Sequence, residues 1–194
     1  RQNLPDAHCA LFNAVGTELY VSEFSADVVA RYDVATRQCR RIQLPSDFGP
    51  RHIVLNDDED KAYVIGELSG SIAVIDTESG RVVQIVCADT VNARGSADIH
   101  FSPDGRFLYA SNRLQNDGIA IFKVNADGTL AKIGYRNTGI HPRNFNITPN
   151  GKFLLVACRD SGCIQIFKRN VRTGLLSDIG RTIVLDKPVC IVFV

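Results

Sequence analysis

Four histidines, His8, His52, His100 and His141, fall at or beside the start of a β-rich run, and charged residues recur at fixed distances from them. His8 and His52 each stand 15 residues ahead of a glutamate, Glu23 and Glu67. Asp98 and Asn144 hold the same place later in the chain and are followed at the same distance by Arg113 and Arg159. Arg51 and Arg143 immediately precede two of these positions, and Arg94 lies just before a third. Such a set suits hydrolysis of an anionic ester or lactone. An imidazole titrating near neutrality can take a proton from water. A carboxylate can orient that imidazole or act as the base itself. Guanidinium groups can clamp a phosphate or carboxylate through two parallel bonds and steady an oxyanion. The GxSxG nucleophile elbow is absent, as is HxxxH-type zinc spacing; three channel residues could in principle hold a metal, but the expected mechanism uses neither metal nor cofactor. Singly, each residue has a plainer use: a histidine at a strand start can cap backbone groups, and Glu23 or Arg159 can sit in a surface ion pair. The convergence of all four histidines carries the weight.

The elements that would bring them together are repeats. The segments LYVSE (19–23), AYVIGE (62–67), LYASNR (108–113) and LLVACR (154–159) end 44, 46 and 46 residues apart. Between them lie short alternating runs separated by turn signals such as Pro103-Asp104-Gly105-Arg106 and Asn150-Gly151. A period near 45 with about four strands per unit is the sequence sign of a β-propeller. The fold class is therefore all-β, with four four-stranded blades at about 6–45, 50–87, 96–136 and 142–184. The segment 187–194 reads as one more inner strand, which suggests the latter part of a larger ring. In a propeller the first strand of each blade lines the channel, so one channel mouth would collect the His, Arg, Glu and Asp side chains. Lys61, Arg106 and Lys152 fall on the opposite turns and read as surface. Phe101, Phe107, Phe145 and Phe153 read as packing between blades.

Composition narrows the function classes. A net charge of +1 argues against nucleic acid or an anionic membrane surface as the partner. No apolar run is long enough to cross a membrane as a helix, and the first ten residues lack the apolar core of a signal peptide. Met is absent even at position 1, so the chain reads as processed or cut from something longer. The six cysteines follow no zinc or dense disulfide pattern and mostly fall on strands, where buried free thiols are expected. That usage favours a reducing, cytoplasmic setting. Cys158 and Cys163 flank one short loop and could approach each other, but no disulfide is expected between them.

GPRH (49–52), NDDEDKAYVIGEL (56–68), ADIHFSPDGRFLYASNR (97–113), HPRNFNITPNGKFLLVA (141–157) and KPVCIVFV (187–194) together resemble the seven-bladed propeller lactonase family. That family includes bacterial propeller-type 6-phosphogluconolactonases and fungal carboxymuconate cyclases. The resemblance runs from Asp6 to the end and matches the last four of seven blades. It implies a site of His8, Arg51, Glu67, Arg113 and Arg143; His52, Arg94, His100 and His141, placed at the same mouth by the repeat, are expected to contact substrate. Val189-Cys190 departs from the usual end of the closing motif.

The expected function is hydrolysis of a small anionic lactone, 6-phosphogluconolactone to 6-phosphogluconate, a step of the pentose phosphate pathway. His8 or Glu67 would activate water while Arg51, Arg113 and Arg143 hold the anionic group and the oxyanion. Two rivals stand beside it. A carboxymuconate cyclase would need the same arginines for carboxylates. A non-catalytic protein-binding propeller is suggested by AYVIGELSGSIAVIDTESGRVVQIV (62–86), which resembles YVTN-type surface repeats. Four blades alone would also leave two open edges prone to self-association.

Overall fold

The chain reverses direction at a regular interval, through a left-handed residue in a tight turn. Gly16, Glu59, Gly105 and Gly151 have φ of 72°, 55°, 65° and 68°. Each sits between the first and second strand of a unit, where glycine meets no Cβ penalty and only Glu59 must bear one. The computed structural model describes residues 6–193. It contains sixteen strands and a single 3-10 turn at Phe24–Ala26 among those residues.

The first sheet holds β1 (Ala7–Phe12), β2 (Glu18–Glu23), β3 (Val28–Asp33) and β4 (Cys39–Gln43). The second holds β5 (Pro50–Leu55), β6 (Lys61–Gly66), β7 (Ser71–Asp76) and β8 (Val82–Cys87). The third holds β9 (Ser96–Phe101), β10 (Phe107–Asn112), β11 (Gly118–Val124) and β12 (Leu130–Asn137). The fourth holds β13 (Pro142–Ile147), β14 (Phe153–Cys158), β15 (Cys163–Arg169) and β16 (Leu176–Val184). Every sheet is an antiparallel meander in sequence order, which is the propeller blade expected from the repeats. The first strands β1, β5, β9 and β13 stand side by side, each in contact with the next.

Alternation along the strands explains how the blades stack. In β6, Ala62 and Val64 join Tyr20, Val29 and Ile53 between the first two sheets, while Tyr63 and Ile65 face the other way, toward Leu108 and Phe122. In β10, Leu108 and Ala110 face the second sheet, and Phe107 and Tyr109 face Phe145, Leu154 and Phe167 of the fourth. A strand buried on both faces must be apolar at nearly every position, which is why β6 and β7 read AYVI and IAVI rather than alternating. Tyrosines on the second strands tie neighbours together: Tyr63 donates to Gly128 O and Tyr109 to Gly174 O, both at 2.7 Å.

Two sequence expectations change. The segment expected as a further inner strand takes no strand conformation over 187–193. It lies beside β13, where Ile191 N donates to Asn144 Oδ1 (2.7 Å) and Asn146 Nδ2 donates to Ile191 O (3.1 Å). Among the described residues only side chains hydrogen-bond it, and a strand needs a backbone partner. The cysteines were expected to be mostly buried, yet Cys39, Cys87 and Cys190 are exposed and only Cys158 is fully buried. Cys39 and Cys87 lie on the outermost strands, whose outer faces meet solvent. Cys158 and Cys163 are direct cross-strand neighbours, and both are free.

Candidate functional site

Each first strand begins with an irregularity. The ladder slips between Ala7 and Cys9, between Pro50 and Ile53, opposite Ala110 and Asn112, and between Pro142 and Asn144. These slips fall at His8, at Arg51 and His52, at Ala97 and Asp98, and at Arg143. A bulge breaks the strict alternation of side chains and re-aims them, so Arg51 and His52 can both serve the channel although they are adjacent in sequence. Serines of the second strands satisfy the freed backbone groups. Ser22 Oγ accepts from Cys9 N and donates to Arg51 O (2.6 Å), and Ser111 Oγ accepts from Asp98 N (3.0 Å). The chain enters the bulges through left-handed residues, among them Gly49, Arg94 and His141. Backbone bonds from Glu67 N to Gly49 O and from Arg113 N to Gly95 O then fix the strand ends beside them.

Five side chains meet there. Arg51 is 4% exposed; its Nη1 donates to His8 Nε2 (2.5 Å) and to Glu67 Oε2 (2.7 Å), and its Nε donates to Ala97 O (2.8 Å). Arg113, also 4% exposed, places Nη2 3.1 Å from Glu67 Oε1 and Nη1 3.3 Å from His141 Nε2, with Nε on Gly95 O. Glu67 thus divides its two oxygens between two buried arginines. Arg143 is half-buried, and its charge acts on His8, Arg51, Arg113 and His141. Its guanidinium makes no hydrogen bond among the described residues, so it is the arginine of the group with capacity to spare.

The electrostatics follow from this crowding. Desolvation of the His8 ring, and then the charge of Arg51, lower its pKa to about 4, although the residue as a whole is exposed. A guanidinium only donates, so its contact fixes His8 as the neutral tautomer with Nε2 accepting and the proton on Nδ1. His141 is lowered by desolvation and by Arg113, while Asp160 Oδ2 lies 3.1 Å from its Nδ1.

A second group adjoins the first. The His52 and His8 rings touch at 5.2 Å between centroids, tilted by 58° to each other. His52 Nδ1 meets Asp98 Oδ1 at 2.6 Å, and His100 Nε2 meets Asp98 Oδ2 at 3.0 Å. Asn144 Nδ2 also donates to Asp98 Oδ2 (2.6 Å), and the backbone N–H groups of Ile99 and Phe145 complete its shell. Asp98 is 2% exposed. Burial alone would push its carboxyl up, but the bonds from His100 and His52 outweigh it and hold it well below the usual carboxylate range.

The structure therefore joins His8, Arg51, Glu67, Arg113 and His141 directly, sets Arg143 among them, and places His52 and His100 alongside. It does not bring Arg94 into the group. Arg94 forms a two-pronged pair with Asp47 at 2.5 and 2.7 Å, with both side chains about half exposed. Glu23 is also elsewhere: it is fully buried and gripped by Arg41 from the outer strand of its own sheet, at 2.9 and 2.6 Å. Arg159 pairs with Asp160 at the rim. Asp98, Asp160 and Asp47 are partners that the sequence reading left out of the site; for Asp98 the signal was its 46-residue offset from His52. A hollow of about 320 Å³ on the opposite face is lined by turn residues such as Asp57, Asp60 and Asp104 and holds none of the group.

Comparison with known proteins supplies the context. The family model described as lactonase, 7-bladed beta-propeller, matches residues 1–193. A protein of Formosa agariphila named 6-phosphogluconolactonase is 35% identical over 95% of this chain and 57% of its own length. One of Erwinia tasmaniensis with the same name is 30% identical over 98% of this chain and 61% of its own. The chain thus spans about three-fifths of the curated relatives it matches. A crystal structure from Bacteroides uniformis, provisionally described as a 6-phosphogluconolactonase, superposes with a TM-score of 0.90 at 51% identity, over 96% of this chain and 57% of that one. A periplasmic gluconolactonase of Pseudomonas aeruginosa gives 0.86 at 29% identity, over 94% and 55%.

Proposed function

Because the chain belongs to the seven-bladed β-propeller lactonase family, we propose that it carries the reaction centre of a lactone hydrolase acting on 6-phosphogluconolactone. The observation that carries this reading is the group around Glu67: two buried arginines held in fixed orientation, a neutral histidine and a third arginine with free donors, all at one channel mouth. In this reading the four sheets are four consecutive blades of a seven-bladed ring. Arg143 takes the anionic end of the substrate. Arg51 and Arg113, with His8 donating through Nδ1, face the carbonyl oxygen as it gains charge. Preorganised donors of this kind supply a large share of catalysis because they need not reorient when the charge develops. Glu67 keeps the two guanidinium groups from repelling each other and from swinging away.

The names of the Formosa and Erwinia relatives support the phosphorylated lactone as substrate, and the Pseudomonas relative supports lactone chemistry in general. Six free cysteines accord with a cytoplasmic location, and no helix among the described residues is long and apolar enough to cross a membrane. The reading is tested by following acid release from 6-phosphogluconolactone in the full-length protein, corrected for spontaneous opening. Arg51→Ala and Glu67→Ala should each cut turnover at least tenfold; unchanged turnover in both would refute it.

A further inference from the structure

A base that removes a proton from water needs a free lone pair, and the group around Glu67 offers few. His8 Nε2 is occupied by Arg51 Nη1 at 2.5 Å. Both oxygens of Glu67 are occupied by arginines, Oε2 by Arg51 and Oε1 by Arg113. His141 Nε2 faces Arg113 and its Nδ1 faces Asp160. His52 differs from all of these. Its Nδ1 lies 2.6 Å from a buried carboxylate oxygen, so Nδ1 carries the proton and Nε2 carries the lone pair. Nε2 has no partner among the described residues, the side chain is 29% exposed, and the ring stands against His8 at the edge of the arginine group. Asp98 cannot turn away, because His100, Asn144 and two backbone N–H groups fix its other lone pairs. His100 shares the same carboxylate through its Nε2, but it lies two residues beyond Asp98 on β9, where its ring packs at a right angle to Phe145.

We infer that His52 is the general base of the lactonase centre and that Asp98 is its positioning residue. This rests on the lactonase reading and adds to it the group that moves the proton. Water bound at His52 Nε2 attacks the lactone carbonyl carbon. As the new C–O bond forms, the water proton passes to Nε2 and the carbonyl electron pair moves onto oxygen, facing Arg51 and His8. The tetrahedral species collapses, the ring C–O bond breaks, and the proton on Nε2 passes to the departing ring oxygen, which becomes a hydroxyl. The acid so formed loses one proton to solvent. Asp98 does not exchange a proton; it holds the tautomer and stabilises the transient imidazolium. The arrangement also makes sense of the circumferential run His52–Asp98–Asn144, three equivalent positions 46 residues apart that are joined by side-chain hydrogen bonds.

The test is steady-state hydrolysis of 6-phosphogluconolactone by the full-length protein, its His52→Ala and Asp98→Asn variants and the double variant, with folding followed by circular dichroism. His52→Ala should lower kcat by about 10²–10⁴-fold with KM within threefold, and imidazole in the buffer should restore part of the lost rate. Asp98→Asn should lower kcat by about tenfold or more alone and add nothing in the His52→Ala background, since it acts through His52. If His52→Ala does not fold, His52→Gln keeps a hydrogen bond to Asp98 and takes its place, with the same loss of kcat expected. A folded His52 variant with kcat within twofold of the active parent would overturn this inference alone, as would additive losses in the double variant. A parent without lactone turnover would overturn the lactonase reading and this inference with it.

Discussion

Glu67 lies 2.7 Å from Arg51 and closes the only acidic contact that Arg51 makes among the described residues, in a place where that arginine is 4% exposed. Removing one partner of a buried pair leaves the other charge uncompensated, which costs more than the pair contributes. Here Arg113 would be left in the same state. Glu67→Gln should therefore destabilise the fold by about 1–3 kcal/mol, the usual cost of orphaning a buried group. It should also lower kcat/KM at least tenfold. Thermal melting and lactone kinetics on one preparation would check both.

Arg143 should behave differently from Arg51. It has no hydrogen bond to lose among the described residues, so Arg143→Ala should leave stability within about 0.5 kcal/mol, as for most surface substitutions. Its loss should fall on binding: KM for the phosphorylated lactone should rise at least tenfold, with a much smaller change for an uncharged lactone. Equal effects on the two substrates would remove Arg143 from the anion subsite.

Arg94 was expected at the mouth because it precedes the third inner strand. Its charge is instead neutralised by Asp47 in solvent. Exposed pairs of this kind are worth about 0–1 kcal/mol. Arg94→Ala should leave both stability and kcat/KM within about twofold-equivalent changes, readable in the same two assays.

The pH dependence of His8 has a definite sign. Its folded pKa is near 4, below the ordinary 6.5. Between these values the unfolded chain binds a proton that the folded chain does not, so this group contributes stability above pH 6.5 that is lost as pH falls toward 4. His8→Gln should flatten the melting temperature over that window. It also follows that an acid limb of the rate profile near neutrality does not belong to His8.

How much of this was legible follows from where each residue sits. The four sheets and their own first strands could be read because period-2 alternation and the 46-residue repeat are set by local sterics and by packing of sheet on sheet. Arg51 and Glu67 could be placed for the same reason: register fixes which strand end reaches the mouth. Arg94 and Glu23 stand apart from the group because register gives a position and not a partner. Asp47 and Arg41, which capture them, lie 47 and 18 residues away on elements with no motif of their own. Asp98 was seen as a register equivalent of His52, but its role depends on the bulge that turns it toward His52, and bulges leave no clear trace in a single sequence.

Arg37, like Glu59, stands left-handed where the other sheets use glycine. Arg37 has φ of 60° in the turn between β3 and β4, where Gly80, Gly128 and Gly174 stand in the other sheets. A left-handed non-glycine residue costs about 1–2 kcal/mol, partly offset by the greater freedom of glycine when unfolded. Arg37→Gly should stabilise the protein by about 0.5–1 kcal/mol in denaturant unfolding, without change in activity.

The most direct measurement is kcat/KM of the full-length protein for 6-phosphogluconolactone and for unphosphorylated gluconolactone, side by side. The arginine group around Glu67 predicts enzymatic turnover of both, with a preference for the phosphorylated substrate of at least tenfold that disappears in Arg143→Ala. Turnover of neither, or equal turnover of both with the preference untouched by Arg143→Ala, would contradict the account.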